Sequence, residues 1–141
     1  MTVRIRPFAD ADEDTVVALW QAAGLTRPWN DPHRDIERKK RVQRDLFLVA
    51  LHDDVLVGTA MAGYDGHRGW VYYLAVAPDR QGHGLGRLLM MEAEVQLLAL
   101  GCPKVNVQIR SGNEAVAGFY DSLGYAPDLA ASLGKRLIPD M

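Results

Sequence analysis

LAVAPDRQGHGLGRLL, residues 74–89, runs from an apolar strand-like segment through three alternate glycines into an apolar helical run. A strand ending at Val76–Ala77, a tight turn at Pro78 and glycines opening a helix suit a bound phosphate. The first N–H groups of a helix lack partners and carry partial positive charge. Gly82, Gly84 and Gly86 place no side chain between a diphosphate and those donors, and Arg80, Gln81 and Arg87 are auxiliary donors nearby. The plain alternative is a glycine-rich turn, since glycine is common in loops. Two familiar phosphate-binding patterns fail. No Gly-Lys-Ser/Thr follows, as a P-loop needs, and a dinucleotide fingerprint would put its third glycine at Arg87. The loop also follows a run of antiparallel strands instead of opening a first βαβ unit. A different diphosphate ligand is left.

Working outward, "TVRIRPF" alternates as a first strand does, and "DADE" (Asp10 to Glu13) fits a capping box opening a helix with Val16, Leu19, Trp20 and Ala23 at helical spacing. Asp31 as N-cap and Pro32 as first helical residue predict a second helix reaching about Arg44. "LFLVALH", "VLVGTAMAGY" and "WVYYLAV" read as three strands joined by tight turns. The glycine loop then leads into a helix from about Gly84 to Leu100, with Leu88, Met91, Val95 and Leu98 on one side. "KVNVQIR" is a further strand. "NEAVAGFYDSLGY" is a shorter helix whose Val116, Phe119, Tyr120 and Leu123 share a face, and "AASLGKRLI" is expected to supply a final edge strand. The order is βααβββαβαβ, an α/β sandwich around a mixed sheet.

The bulk properties narrow the class. The 141 residues fit one domain, and 48% hydrophobic with 24% charged residues is ordinary for a globular protein. A formal charge of −2 gives no basic field for nucleic acid, and no stretch reaches the ~20 apolar residues of a membrane span. Cys102 is the lone cysteine, so no internal disulfide forms. The expectation is a small soluble cytoplasmic protein with no nucleic-acid or membrane partner. No His/Cys/Asp cluster has metal-ligand spacing, so no metal is expected. "HRDIERKKRVQR" mixes both signs of charge and reads as a solvated face.

Two blocks together are similar to the GNAT superfamily of N-acetyltransferases. "LAVAPDRQGHGLGRLL" resembles its acyl-CoA signature, Q/R-x-x-G-x-G/A between a strand and a helix, with Gln81, Gly84 and Gly86 at the fixed positions. "NEAVAGFYDSLGY" resembles its N-x-x-A-x-x-x-Y-x-x-x-G-F/Y region through Asn113, Tyr120, Gly124 and Tyr125, with Val116 in place of the usual alanine. With "RPWNDP" and "GYDGHRG", the chain looks closest to small bacterial, YpeA-like members. The resemblance implies a single domain over 1–141 with the GNAT fold: a mixed, mostly antiparallel sheet of six to seven strands flanked by about four helices. It implies direct acetyl transfer from acetyl-CoA to an amine-bearing acceptor, as a monomer or homodimer.

The same resemblance assigns roles. Main-chain groups of Gln81, Gly82, His83, Gly84, Leu85, Gly86 and Arg87 would hold the diphosphate. Leu74 and Val76, on a strand that splays from its neighbour near a bulge, would hold the pantetheine arm, and the Val76 N–H would polarise the thioester carbonyl. Tyr120 would be the general acid, although its position on the apolar face also fits a core aromatic. Asn113 would position the cofactor, and a local N-cap role explains it equally well. Arg27, Trp29, Asn30 and Tyr72 would border the acceptor. Trp29 also reads as a staple of its loop. Superfamily members that acetylate protein N-termini place a basic carboxylate on the strand before the Asn block, where this chain has Asn106 and Gln108. The base therefore stays open among Tyr72, Tyr73, Asp65, His67 and a water chain. His67 and His83 read equally as solvated loop residues. A non-catalytic acyl-CoA-binding module and a nucleotide-binding protein are the alternatives.

Overall fold

The computed structural model describes residues 2–111 and 113–140. Its elements are β1 (Val3–Pro7), α1 (Glu13–Ala22), α2 (Pro32–Lys39), β2 (Phe47–His52), β3 (Val55–Tyr64), β4 (Gly69–Val76), α3 (Leu85–Ala99), β5 (Val105–Val107) and α4 (Glu114–Ser122). The sheet order is β1-β2-β3-β4-β5, antiparallel until β5 joins β4 in parallel.

β2 shows why two helical layers are needed. Successive strand side chains point to opposite faces, and both faces of this strand are apolar. Leu48 and Ala50 pack with Leu89, Met90, Ala93 and Leu97 of α3, whereas Phe47, Val49 and Leu51 pack with Val16, Val17 and Trp20 of α1 and Ile36 of α2. A sheet apolar on both faces must be covered on both.

A β-bulge interrupts β4. Thr59 pairs with Ala75 and Met61 with Tyr72, so Tyr73 and Leu74 together oppose Ala60. Tyr73 has φ +51°, a left-handed conformation costing an aromatic residue ~1–2 kcal/mol. Three contacts offset that cost. Trp20 stacks on the Tyr73 ring at 3.7 Å between centroids. The Trp20 indole N–H donates to Thr59 Oγ1 at 2.9 Å, and the Thr59 hydroxyl donates to the Tyr73 carbonyl at 2.8 Å. The bulge also changes the alternation. Val71 and Leu74 face α3 while Tyr73 and Ala75 face α1 and α2, so Tyr72 and Tyr73 fall consecutively on the α1–α2 side.

Several expectations are corrected. The sheet has five strands among the described residues, because "AASLGKRLI" makes no ladder. The tail meets the neighbourhood of β5 through side chains instead, Lys104 with Asp128 at 2.7 Å and Gln108 with Ser132 at 2.8 Å. Asp12, not Asp10, closes the first helix entrance: its carboxylate accepts from the Ala9 N–H at 2.9 Å and grips Arg6, while Asp10 pairs with Lys40 and Arg44. Asp31 does cap α2, accepting from the His33 N–H at 2.9 Å. That helix stops at Lys39 because Lys39 and Gln43 are drawn onto the main chain of β3: Lys39 Nζ to the Ala62 carbonyl, and the Gln43 amide to both polar groups of Tyr64. The inward face of α3 is not the expected one. Leu88, Met91, Val95 and Leu98 are exposed, and the buried stripe is Leu85, Leu89, Met90, Ala93 and Leu97. Both stripes have helical spacing. The sheet selects the second because Gly58, Ala60 and Ala62 leave shallow places for it; a methyl on Gly58 would lie 2.9 Å from Leu89 Cδ1.

Removing the central hydroxyl tests this frame. Thr59→Val leaves the Trp20 N–H and the Tyr73 carbonyl unpartnered, with an expected loss of about 1–3 kcal/mol in urea unfolding. Unchanged stability would show that the bulge holds itself.

Candidate active site

Four segments converge where β4 ends. The first is the open edge of β4. Its pairing with β5 stops at Val71–Val107, so among the described residues no strand pairs with Tyr72 to Val76 on that side. The Ala77 N–H bonds to the Val57 carbonyl at 2.8 Å, making that pair a hydrogen-bonded one. The neighbouring pair Gly58–Val76 then turns its N–H and C=O away from β3. The Val76 N–H therefore faces the open edge, and its carbonyl takes a long bond of 3.3 Å from Gln81 Nε2.

The second segment is the glycine loop. A 3-10 turn over Pro78–Arg80 leads to Gly82 and Gly84, with φ of +84° and +80°, and then to α3. The first N–H of α3 to bond a main-chain acceptor is that of Leu88, to the Gly84 carbonyl at 3.1 Å. Leu85, Gly86 and Arg87 keep the unpaired donors of a helix start. The three glycines have different reasons. A Cβ on Gly82 or Gly84 would meet nothing within 4 Å, so their positive φ is the requirement. A Cβ on Gly86 would sit 3.2 Å from Phe119 Cζ and 3.8 Å from Val76 Cγ2. Gly86 lets α4 close against the end of β4.

The third is α4. Tyr120 is buried, edge-on to Phe119 and Tyr125, and its hydroxyl has no hydrogen-bond partner among the described residues. Burial pushes that hydroxyl above the ordinary tyrosine range. Asn113 occupies the N-cap position but makes no side-chain capping bond, so the local cap role expected of it is absent.

The fourth is the loop between α1 and α2. Trp29 is 52% exposed, with the Arg110 guanidinium 5.8 Å above its ring, so this loop meets the chain just beyond β5. The Asn30 amide donates to Asp35 Oδ2 at 3.0 Å, and the Tyr73 hydroxyl donates to the same oxygen at 2.6 Å. Burial and that carboxylate push the Tyr73 hydroxyl well up. Arg27 turns inward locally, its Nη1 donating to the Gly24 and Thr26 carbonyls at 2.8 Å each. Tyr72 is half-exposed, stacks on Trp70 and is raised mainly by burial.

Asp65 belongs to its turn, accepting from the His67 and Arg68 N–H groups, which holds its carboxyl below the usual range. Sequence reasoning missed Thr59 and Asp35, which act on Tyr73 from 14 and 38 residues away. A threonine inside the apolar run "VLVGTAMAGY" was the only available signal. Among the described residues no group of three or more His, Cys, Asp or Glu is placed to hold a metal ion, and no helix is long and apolar enough to cross a membrane.

Comparison with known proteins agrees with this geometry. The Acetyltransferase (GNAT) family model matches residues 13–125. An acetyltransferase of Yersinia enterocolitica is 48% identical over 138 residues, covering 98% of each chain. The fold matches Ard1 from Thermoplasma volcanium at a TM-score of 0.80 and 21% identity, over 89% of this chain and 84% of that one. It also matches the PaiA N-acetyltransferase from Thermoplasma acidophilum, solved in complex with coenzyme A, at 0.73 and 18%, over 93% and 94%. The open edge of β4, the glycine loop and the α4 block thus lie in a chain that belongs to the GNAT acetyltransferase family, whose members transfer an acetyl group from acetyl-CoA to an amine.

Proposed function

We propose that the open edge of β4 and the start of α3 form one continuous groove for acetyl-CoA, with the acceptor amine entering from the α1–α2 side. The observation that carries this reading is the bulge at Tyr73. It lies just past the last β4–β5 pair and turns consecutive tyrosines toward the α1–α2 loop. The fit to the cosubstrate is chemical: unpaired amides and two positive-φ glycines for the diphosphate, and a free strand edge for an amide-bearing arm. Gln81 to Arg87 take the first role and Leu74 with Val76 the second. Asn113, whose side chain is not used for capping, is available to the same ligand.

Acetyl-CoA supplies an activated acetyl thioester. The Val76 N–H is aimed to donate to its carbonyl oxygen; one such donor is worth ~3–4 kcal/mol of barrier in acyl transfer. As the neutral amine nitrogen bonds the acetyl carbon and the C–S bond breaks, the Tyr120 hydroxyl, kept neutral by burial, provides the proton for the departing sulfur, and the proton shed by the nitrogen passes to water. A thiol near 8.5 and a tyrosine near or above 10 make this transfer uphill in water, but a dry site raises the thiol as well. Direct transfer suits this chain. Cys102 is buried beside Gly69, at the opposite end of β4 from Val76, with its Sγ bonded to the Lys104 carbonyl. Its thiol is not placed to form an acetyl-enzyme.

Two variants separate the roles. Tyr120→Phe is expected to lower kcat by roughly 10²-fold, with the acetyl-CoA Kd unchanged by calorimetry; an unaltered kcat removes Tyr120 from proton transfer. Gly84→Ala forces a methyl-bearing residue into a left-handed conformation. At ~1–2 kcal/mol this should weaken acetyl-CoA binding by roughly 5- to 30-fold. Full affinity in that variant would count against the loop as the diphosphate site.

A further inference from the structure

The tail departs from the sheet, yet one of its residues is among the most buried polar groups of the protein. Asp140 is 5% exposed and its side chain is entirely covered. Arg38 Nη2 donates to Asp140 Oδ1 at 2.7 Å, and the main-chain N–H of Asp31 donates to Oδ2 at 2.9 Å. Arg136 Nη1 lies 3.8 Å from the same carboxylate. Together these hold the Asp140 carboxyl down to about 2. Arg136 Nη2 also donates to Asn30 Oδ1 at 2.5 Å. A side chain 109 residues from Asp31 is thus locked against the start of α2.

The lock leads to one atom group. Asn30, held by Arg136, donates to Asp35 Oδ2, and Arg38, held by Asp140, reaches Asp35 Oδ1 at a long 3.4 Å. The Tyr73 hydroxyl, at the bulge, completes the contacts. A carboxylate has about four acceptor positions. Two short bonds occupy Oδ2, while Oδ1 has only the long one, and the Asp35 side chain is 19% exposed. Asp35 is an oriented, part-exposed carboxylate with acceptor capacity to spare, and it meets β4 at Tyr73, three residues before Val76. On this face also lie the half-exposed Tyr72 and the exposed Trp29.

We propose that Asp35 is the carboxylate that receives the acceptor's cationic amine, and that Arg136 and Asp140 in the C-terminal tail are positioning residues that hold it there through Asn30 and Arg38. The substrate class is a primary amine with an aromatic or apolar flank. The proposal rests on the acetyl-transfer reading above, but its test does not depend on turnover.

The probe is benzylamine, titrated into the full chain with and without saturating acetyl-CoA. It is followed by the 13C shifts of the aspartate carboxylates, assigned by single Asp→Asn variants. The Asp35 resonance should move saturably in the parent. Asp35→Asn should weaken benzylamine binding by roughly tenfold or more, and Asp140→Asn and Arg136→Met by several-fold. The acetyl-CoA Kd should stay within about twofold in all three. Benzyl alcohol, of the same shape without the charge, should not move the resonance. Movement of a different carboxylate or of none, or unchanged benzylamine affinity in both tail variants, overturns the assignment. So does an equal loss of acetyl-CoA and benzylamine binding, which would mark the tail as a global stabiliser. If acetyl-CoA fails to bind the parent while Asp35 still responds to benzylamine, the groove assignment falls and this one stands. Should Asp140→Asn unfold the chain, Arg136→Met decides alone, since the Arg136 side chain is 41% exposed and its loss leaves no covered charge unpaired.

Discussion

A chain of two hydrogen bonds, donated by the Trp20 indole N–H to the Thr59 hydroxyl and by that hydroxyl to the Tyr73 carbonyl, holds the geometry on which the candidate site depends. Tyr73 adopts a left-handed conformation that an aromatic side chain resists. Two hydrogen bonds at ~1 kcal/mol each, with an aromatic stack worth ~0.5–1.5 kcal/mol, are of the size needed to keep it there. All three come from elements other than β4. Without them the strand has no reason to bulge and the phase of its side chains reverts. Tyr73 would then no longer share a face with Tyr72, and the register of everything up to Val76 would move.

From that point the architecture divides labour between the two faces of the sheet. On the α3–α4 face, Gly86 lets Phe119 close on the end of β4 beside Val76, which brings Tyr120 to the same corner. On the opposite face, the loop from α1 to α2 is tied to the bulge by Asp35 and Asn30. The open edge of β4 lies between the two. In the proposed arrangement a cosubstrate laid along that edge is accessible from both faces, so Tyr120 and the amine can approach one thioester from different sides without sharing space. This is a physical basis for transfer without a covalent enzyme intermediate.

The parts of the fold legible in the sequence are those specified locally. β2, β3 and β4 were readable from β-branched and aromatic runs between tight turns, and Asp31–Pro32 from capping chemistry. The glycine loop was readable because positive φ at Gly82 and Gly84 demands that residue type. The failures have one cause. α3 is apolar nearly all round, so periodicity offered two inward stripes, and the shallow Gly58–Ala60–Ala62 surface of β3 chose between them. α2 ended early because Lys39 and Gln43 bond to a strand about twenty residues away, and the tail formed no strand because its strongest attachments lie at Asn30, Asp31 and Arg38.

The sequence by itself determined the family, the order of the elements up to α4 and the glycine loop that opens α3, because glycine conformation, helix starts and strand patterning are set within a few residues. Only the tertiary structure decided which tyrosine is strained, which carboxylate meets it and where the tail goes. Those outcomes rest on hydrogen bonds between residues 14 to 109 positions apart. Their partners are selected by burial and packing once the chain has closed, and nothing in the local pattern encodes them.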